Sequence, residues 1–282
     1  MQINSSTQLF CILGKPVRHS LSPVIHNTAF TKSGINAVYL AFEPDTIEGG
    51  ISSIRSLNIK GASITIPFKV EAIKYLDKID PLAEKIGSIN TIHNYDGELI
   101  GYNTDGYGAV KALENNRIEI KNSRVMVIGN GGSARAIAFT LLEQDANVII
   151  AGRNPEKIKN LTSDLRNSYN NVECIQLTEI NNDYMSGVDT IINTTPLGMA
   201  PDVNLVPIDP GLLQEKHVVF DIVYSPDITR LLDSAISRGC RIVRGIEMLI
   251  NQGIKQFEIW TGMNAPLKEI TEAVNQKLTL KK

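Results

Sequence analysis

A glycine-rich turn between a short apolar run and a helical pattern constrains the fold of this chain more than any other feature. The run Val125–Ile128 is too short to be a buried helix, and it stops at the sequence GNGGS (129–133). A strand, a tight glycine turn and a helix start form the arrangement that binds the pyrophosphate of a dinucleotide. Gly129 permits the turn, Gly131 lets the backbone approach the phosphates, and Ala134 packs the helix against the strand. The sequence therefore predicts a dinucleotide-binding domain around this turn.

The residues after the next predicted strand indicate which dinucleotide binds. In such domains, an acidic residue about 20 residues after the glycine turn often holds the adenosine ribose. Here the strand Asn147–Ala151 ends in Gly152, Arg153 and Asn154. Because a cation complements a 2′-phosphate, the sequence favours NADP over NAD. Glu156 is close enough in sequence to leave NAD as an alternative.

Composition and charge argue against several other classes of protein. The 282 residues include 28 basic and 30 acidic side chains, and the formal net charge of −2 gives no indication of a nucleic-acid partner. No apolar run is long enough to span a bilayer, and residues 1–8 lack the basic and apolar regions of a signal peptide. The three cysteines are far apart and lie in or beside apolar stretches, as reduced core residues do. We therefore expect a cytoplasmic protein without a membrane partner.

Short apolar runs alternate with helical patterns along the chain, which predicts an α/β protein with mostly parallel sheets. The predicted strands are Leu9–Leu13, Ala37–Phe42, Gly61–Ile66, Ile89–His93, Arg124–Ile128, Asn147–Ala151, Val172–Gln176, Thr190–Asn193, Val218–Asp221 and Arg241–Arg244. The predicted helices are Pro23–Ser33, Ile47–Leu57, Phe68–Leu76, Asp105–Asn115, Ser133–Glu143, Pro155–Asn167, Thr229–Arg238, Glu247–Trp260 and Pro266–Lys277. About four strands precede the glycine turn, enough for a separate smaller domain.

Two serines lie in the loop after the first predicted strand. Ser22 precedes Pro23, which is typical of a helix N-cap followed by proline at the first helical position. The pattern favours this role, but it leaves Ser20 unexplained. Two hydroxyl groups at positions i and i+2 could alternatively bind a carboxylate.

Other polar residues of the first half also follow strand ends. Pro67 stops the ladder of the third strand, so Thr65 and Lys69 are expected at the carboxyl edge of the sheet, where open α/β sheets bind ligands. Taken singly, Lys69 is most simply a solvated lysine on a first helical turn, and Asp105 a helix cap. Together with Asn90 and several hydroxyl groups, these residues predict a pocket for a small polyhydroxylated acid.

Eight short motifs, in order along the chain, resemble those of the shikimate dehydrogenase family. They are SLSP (20–23), TIPFK (65–69), GSINT (87–91), GYNTDG (101–106), GNGGSAR (129–135), INTTPLGM (192–199), DIVY (221–224) and GIEMLINQ (245–252). The resemblance implies reversible reduction of 3-dehydroshikimate to shikimate by NADPH, a step in chorismate and aromatic amino-acid biosynthesis. It also implies two α/β domains flanking a cleft. A substrate-binding domain would comprise residues 1–104 and the C-terminal helices 247–282, and a Rossmann-type NADP-binding domain would comprise residues 105–246.

The resemblance also implies a role for individual residues. The family's substrate contacts fall on Ser20, Ser22, Thr65, Lys69, Asn90, Asp105, Tyr224 and Gln252. In the family, the serines and the tyrosine hold the ring carboxylate, and the others hold the ring hydroxyl groups. Its cofactor contacts fall on Gly129, Asn130, Gly131, Gly132, Ser133, Arg153, Asn154, Thr194, Ile222 and Gly245. Two positions depart from the family pattern, because Ser63 and Gly152 stand where asparagine is frequent.

The reaction requires a proton donor, and Lys69 fits this role. Hydride transfer to a ketone carbon leaves a developing alkoxide, which takes a proton from a group within hydrogen-bond reach. A lysine ammonium can donate that proton, and a neighbouring Asp105 carboxylate would favour its charged form and fix its direction. We therefore expect Lys69 and Asp105 to be the catalytic residues.

Several alternatives stay open. A quinate/shikimate dehydrogenase that prefers NAD would share most of the motifs, although the form TIPFK (65–69) and the absence of an acid directly after Arg153 favour the shikimate enzyme. A non-catalytic sensor of shikimate-pathway ligands is disfavoured because Lys69 and Asp105 are both present. A two-domain folate dehydrogenase would not explain the motifs of the first half.

The four histidines are scattered, so we expect no metal site. We expect a monomer or a homodimer that binds small molecules.

Overall fold

The structure is a computed structural model that describes residues 3–279. The chain forms two compact units, of which the first comprises Met1–Thr104 and Gln252–Lys282 and the second comprises Asp105–Asn251. The first two and last three residues, which the predicted domain ranges 1–104 and 247–282 include, lie outside the described residues. Each unit is built around its own sheet.

A mixed sheet forms the centre of the first unit. Its strands are β1 (Gln8–Leu13), β2 (Ala37–Phe42), β3 (Gly61–Ile64), β4 (Lys78–Ile79), β5 (Thr91–Tyr95) and β6 (Glu98–Tyr102), in the order β2-β1-β3-β5-β6-β4. β1 is parallel to β2 and β3, β4 is parallel to β6, and β5 is antiparallel to β3 and β6. The carboxyl ends of β1, β2 and β3 therefore share one edge, and Asn90, directly before β5, lies at the same edge.

The helices of the first unit bury apolar stripes against this sheet. They include α1 (Ser22–Lys32), α2 (Ile47–Ser56) and α3 (Pro81–Ile86), with a short 3-10 helix at Glu71–Tyr75. Along α2, Ile47, Ile51 and Ile54 recur at helical spacing, and all three are buried. They share one hydrophobic core with Leu13 and Ile64, the last residues of β1 and β3. The core thus lies directly beneath the strand ends that carry the predicted site residues.

The sheet of the second unit is entirely parallel within the described residues. Its strands are β7 (Arg124–Ile128), β8 (Asn147–Gly152), β9 (Val172–Gln176), β10 (Thr190–Asn193), β11 (Val218–Asp221) and β12 (Arg241–Arg244). Their order is β9-β8-β7-β10-β11-β12, which is the order 3-2-1-4-5-6 of doubly wound dinucleotide-binding sheets. The strand order reverses between β7 and β10, and ligands of such sheets bind outside the carboxyl ends of the strands at this point.

Helices alternate with the strands of the second sheet along the chain, as the connections between parallel strands require. They are α4 (Asp105–Asn115), α5 (Gly132–Glu143), α6 (Pro155–Arg166), α7 (Asn182–Met185) and α8 (Arg230–Ser237), with 3-10 helices at Leu177–Glu179 and Pro210–Leu212. The core includes Met126 of β7, Ile149 of β8 and Val219 of β11. Leu231 and Leu232 of α8 pack into the same core.

The last two helices are α9 (Gly245–Thr261) and α10 (Leu267–Thr279). α9 begins in the second unit and ends in the first, where its Trp260 donates a hydrogen bond to the carbonyl oxygen of Ile92 at 2.9 Å. A Cβ on Gly61 would lie 2.5 Å from the indole nitrogen of Trp260. Glycine at this position of β3 therefore lets the helix pack directly on the strand.

The predicted α/β class with sheets rich in parallel strands is confirmed, but some elements differ. The predicted helix Phe68–Leu76 is wrong: only Glu71–Tyr75 is helical, with 3-10 geometry, because Leu76 is already extended and leads into β4. The elements α3, α7, β4 and β6 were not predicted from the sequence. β5 and β6 form a hairpin through Asp96 and Gly97, which have φ values of 49° and 99°. This Asp-Gly pair is a recognised hairpin signal that could have identified β6.

Candidate active site

The glycine-rich turn joins β7 to α5. Gly129 has a φ of +129°, a backbone region that side chains disfavour, and a Cβ on it would overlap Thr194 Oγ1. Gly131 is the N-cap of α5, and a Cβ on it would meet no atom within 4 Å among the described residues. The N–H groups of the first helical turn lie at this helix end, where the helix dipole favours an anion. The turn therefore leaves the helix N–H groups open to an anion such as a pyrophosphate.

Loops from the two neighbouring strands meet this turn. The N–H and the hydroxyl of Thr194, which follows β10, both donate to the carbonyl oxygen of Ile128, at 2.9 and 2.7 Å. The N–H of Ile222, which follows β11, donates to the carbonyl oxygen of Asn193 at 3.1 Å. A Cβ on Gly245, the first residue of α9, would lie 2.5 Å from the carbonyl group of Ile222. The structure thus brings together the predicted cofactor residues of β7, β10, β11 and α9.

A buried carboxylate stabilises these loops through hydrogen bonds. Asp221, the last residue of β11, accepts hydrogen bonds from Asn193 Nδ2 at 2.9 Å, Val223 N–H at 3.0 Å and Thr229 Oγ1 at 2.7 Å. Burial raises the pKa of Asp221 to about 6, and the three hydrogen bonds oppose this rise. Neither Asp221 nor Asn193 was predicted from the sequence to be a functional residue. A polar residue that ends an otherwise apolar strand was the available signal in both cases.

Tyr224 also follows β11, within the second unit. Its side chain is half-buried, and burial raises the pKa of its phenol. The hydroxyl group is therefore a neutral hydrogen-bond donor or acceptor at physiological pH. Its predicted contact with a substrate carboxylate stays a prediction.

The end of β8 carries the predicted adenosine-binding residues. Arg153 is exposed, and it forms no ion pair within residues 3–279. Asn154 is the N-cap of α6, because its side-chain oxygen accepts from the N–H of Lys157 at 3.0 Å. A Cβ on Gly152 would lie 2.7 Å from a methyl group of Ile158, which explains why a glycine precedes Arg153 in this chain.

Asp105 is the first residue of α4, and it is buried. The hydroxyl of Ser133, in the first turn of α5, donates to Asp105 Oδ2 at 3.4 Å. The negative charge of Asp105 at a helix start is favourable with respect to the helix dipole. One predicted substrate residue and one predicted cofactor residue are therefore in direct contact within the second unit.

The two loop serines of the first unit are linked to each other, and the predicted N-cap role of Ser22 is wrong. α1 begins at Ser22 itself, and Leu21 occupies the N-cap position. The Ser22 N–H instead donates to Ser20 Oγ at 3.1 Å, and the Ser20 hydroxyl lies 3.1 Å from Ser22 Oγ. Ser20 thus satisfies a backbone donor of the helix start, and the Ser22 hydroxyl does not cap the helix.

Thr65 and Lys69 lie in the loop that follows β3. The N–H of Thr65 donates to the carbonyl oxygen of Leu13 at 3.0 Å, so the loops after β1 and β3 run side by side. Lys69 is half-buried in a turn before the 3-10 helix and not on a first helical turn, and its carbonyl oxygen accepts from Ile89 N–H at 2.9 Å. Both residues are therefore at the carboxyl edge of the sheet, as the sequence indicated.

Asn90 and Gln252 meet at the same edge. Asn90 Nδ2 donates to Thr104 Oγ1 at 2.9 Å and to Gln252 Oε1 at 3.4 Å, while Thr104 N–H donates to Asn90 Oδ1 at 2.8 Å. All three side chains are buried. Backbone hydrogen bonds connect this group to the loop after β3, because Ile64 N–H donates to the carbonyl oxygen of Asn90 at 2.8 Å.

The two sets of residues define a class of protein. Glycines and free helix N–H groups on a doubly wound sheet fit a bound dinucleotide, and polar side chains at the carboxyl edge of a second sheet fit a small polar ligand. Among residues 3–279, no cluster of at least three histidine, cysteine or acidic side chains could hold a metal ion. In the same range, every helix is too short or too polar to cross a membrane. These features are those of a nicotinamide-dinucleotide dehydrogenase with a separate substrate-binding unit.

Comparison with known proteins identifies the family. Residues 12–92 match the shikimate dehydrogenase substrate-binding domain, residues 111–232 match shikimate/quinate 5-dehydrogenase, and residues 245–274 match the shikimate 5′-dehydrogenase C-terminal domain. A relative named shikimate dehydrogenase (NADP(+)), from Methanocaldococcus jannaschii, is 41% identical over 282 residues, which cover 98% of this chain and 99% of the relative. The chain belongs to the shikimate dehydrogenase family.

Solved structures agree with this assignment. A crystal structure of shikimate dehydrogenase in complex with NADP+ is 40% identical, with a TM-score of 0.93 and coverage of 98% of both chains. The shikimate 5-dehydrogenase of Thermus thermophilus in complex with NADP(H) and shikimate is 30% identical, with a TM-score of 0.87 and coverage of 96% of this chain and 99% of that one. The resemblance to the shikimate dehydrogenase family that the sequence motifs indicated is therefore confirmed.

The buried Asp221 gives a testable pH dependence. Its pKa of about 6 in the folded state exceeds the ordinary value of 3.8. Between about pH 4 and pH 6, the folded state keeps a proton that the unfolded state has lost, so the contribution of this group to stability falls as pH rises. We compare the unfolding free energy of Asp221→Asn with that of the unmodified protein at each pH. We expect this difference to shift in favour of the variant by about 1–3 kcal/mol between pH 4 and pH 7. Urea unfolding of both proteins at each pH measures this difference.

Asp233→Asn, on the exposed face of α8, is the matched control and should show no such trend. A constant difference between Asp221→Asn and the unmodified protein across this pH range would contradict the raised pKa.

Proposed function

We propose that this protein is an NADP-dependent shikimate dehydrogenase, which reduces 3-dehydroshikimate to shikimate reversibly in aromatic amino-acid biosynthesis. The observation that carries the proposal is the contact between Ser133, in the dinucleotide turn, and Asp105, a predicted substrate residue. The contact supports the proposal because it joins a residue proposed to bind the substrate to a residue proposed to bind the cofactor. The free cysteines Cys11, Cys174 and Cys240 support a reducing, cytoplasmic compartment.

We assign the binding roles by unit. In the first unit, the linked hydroxyl groups of Ser20 and Ser22 are suited to a carboxylate, and the linked amides of Asn90 and Gln252 to ring hydroxyl groups. In the second unit, Tyr224 is a further neutral partner for the carboxylate. Thr65 and Asp105 complete the set of groups for the ring hydroxyl groups.

The cofactor would be held by three kinds of contact. Backbone N–H groups of the turn at residues 129–133 bind the pyrophosphate, and the exposed Arg153 binds the 2′-phosphate. We assign the remaining cofactor contacts to Asn154, Thr194, Ile222 and Gly245. The absence of a side chain at Gly245 lets the backbone of α9 approach the loop after β11. When bound, NADPH supplies the hydride for the ketone carbon of the substrate.

The chain itself supplies the proton. The Lys69 ammonium donates a proton to the ketone oxygen as negative charge develops on it, and accepts one from the shikimate hydroxyl in the reverse direction. Asp105 accepts a hydrogen bond from a ring hydroxyl group at the reacting end of the substrate. Its burial at the start of α4 keeps its carboxylate in a fixed direction.

An assay that crosses shikimate and quinate with NADP+ and NAD+ tests the proposed activity. We expect the highest kcat/KM for shikimate with NADP+, at least about tenfold above each other combination, because Arg153 forms a charge-assisted contact that NAD+ lacks. Fastest turnover of quinate with NAD+ would instead indicate a quinate dehydrogenase. Ligand binding without any turnover would indicate a sensor.

Replacement of the proposed proton donor should separate chemistry from binding. We expect Lys69→Ala to lower kcat about 10²–10⁴-fold with a modest change in the KM for shikimate, because a general acid acts in the transition state. Lys74→Ala is the matched control, since Lys74 is an exposed lysine of the adjacent 3-10 helix. If Lys69→Ala kept a near-normal kcat at saturating shikimate, Lys69 would not be the donor.

Replacement of the proposed phosphate ligand should affect one cofactor. We expect Arg153→Ala to raise the KM for NADP+ about 10–100-fold and to leave the KM for NAD+ nearly unchanged, because only NADP+ has the 2′-phosphate. Lys159→Ala, at an exposed position of α6, should alter neither value. Equal effects of Arg153→Ala on both cofactors would remove the basis for this assignment.

A further inference from the structure

A continuous series of hydrogen bonds runs through the core of the first unit and ends at Asn90. Tyr39 donates to Ser63 at 2.6 Å, Ser63 donates to Gln256 Oε1 at 2.8 Å, Gln256 Nε2 donates to Thr91 Oγ1 at 2.9 Å, and Thr91 donates to Asn90 Oδ1 at 2.7 Å. All five side chains are at most 4% exposed. We call this series the polar relay. It connects three strands, β2, β3 and β5, and one helix, α9, to one of the proposed substrate residues.

The amide of Gln256 has only one orientation in this relay. Its Oε1 accepts from Ser63 and faces His26 Nε2 at 3.1 Å, while its Nε2 donates to Thr91 and to the carbonyl oxygen of Asn90 at 3.2 Å. A backbone carbonyl can only accept, so the amino group must face Asn90. Both acceptor sites and both donor hydrogens of the amide are used, and reversal of the amide would set Oε1 against the carbonyl oxygen of Asn90, which has no hydrogen to donate.

The orientation of Gln256 determines the direction of the Thr91 hydroxyl. A hydroxyl has one hydrogen to donate, and the N–H of Gln256 already occupies a lone pair of Thr91 Oγ1. The Thr91 hydrogen therefore points to Asn90, and the Asn90 atom that faces it must be the acceptor Oδ1. The N–H of Thr104, which can only donate, independently selects the same atom at 2.8 Å.

The side of Asn90 that faces Gln252 is consequently the amino group. Asn90 Nδ2 donates to Gln252 Oε1 at 3.4 Å, which in turn orients the Gln252 amide. We propose that Ser63, Thr91 and Gln256 are positioning residues, which fix the donor and acceptor sides of Asn90 and Gln252 and so set the affinity for the ring hydroxyl groups of the substrate. This inference rests on the proposed function, because Asn90 and Gln252 are substrate ligands only in that function.

A matched pair of substitutions at Thr91 tests the relay. Thr91→Val keeps the side-chain shape and removes the hydroxyl, whereas Thr91→Ser keeps the hydroxyl and removes a methyl group. We expect Thr91→Val to raise the KM for shikimate about three- to tenfold, the net value of one hydrogen bond, with kcat and the KM for NADP+ within about twofold. Thr91→Ser should stay within about twofold of the unmodified protein in all three values.

Thr162→Val is the control for loss of a buried hydroxyl. Thr162 lies in the second unit, and its buried Oγ1 has no hydrogen-bond partner among the described residues, so this substitution should change no kinetic constant. Gln256→Met and Ser63→Ala interrupt the relay on other elements and should raise the KM for shikimate in the same way. They provide the test if Thr91→Val does not fold.

The outcomes separate this inference from the proposed function. If the unmodified protein oxidises shikimate and the folded Thr91, Gln256 and Ser63 variants keep its KM, the positioning role is wrong while the function stands. Equal impairment by Thr91→Ser and Thr91→Val would assign the effect to packing and also overturn the role. Absence of shikimate turnover by the unmodified protein would overturn the function and this inference together.

Discussion

Close approach of backbones at the carboxyl ends of the strands is the constraint on which both candidate binding regions depend. In the first unit, a Cβ on Gly14, directly after β1, would overlap the side chain of Thr65, directly after β3. In the second unit, the same holds for Gly129 against Thr194 and for Gly245 against the carbonyl group of Ile222. No other residue lets neighbouring loops lie this close, so these glycines concentrate N–H, hydroxyl and carboxylate groups in a small volume at each sheet edge.

The sequence predicted those features that depend on local rules. The turn at residues 129–133, the strands of the second sheet and the position of Lys69 beyond a strand end follow from spacing, glycine content and proline. The role of Ser22 was mispredicted, because an N-cap and a residue one position inside the helix differ only in backbone geometry. The polar relay could not be predicted, since it joins Gln256 to Thr91 across 165 residues of sequence.

The two departures from the family pattern have physical explanations in contacts with neighbouring side chains. At Gly152, a methyl group of the buried Ile158, in α6, occupies the space that a Cβ would need. Ser63 replaces an amide with a shorter hydroxyl group, which hydrogen-bonds to both Tyr39 and Gln256. Gln256, from α9, supplies a buried amide that donates to the carbonyl oxygen of Asn90 at 3.2 Å.

The relay also explains why the core of the first unit tolerates an unsatisfied polar atom. His26 Nδ1 is buried without a partner among the described residues, and burial lowers the pKa of His26 to about 3. The imidazole is therefore neutral, with one hydrogen, and Gln256 Oε1 can only accept, so that hydrogen is on Nε2. An unpaired buried acceptor costs about 1–3 kcal/mol. In return, the histidine satisfies the second acceptor site of Gln256 and holds the amide in the one orientation that directs Thr91 to Asn90.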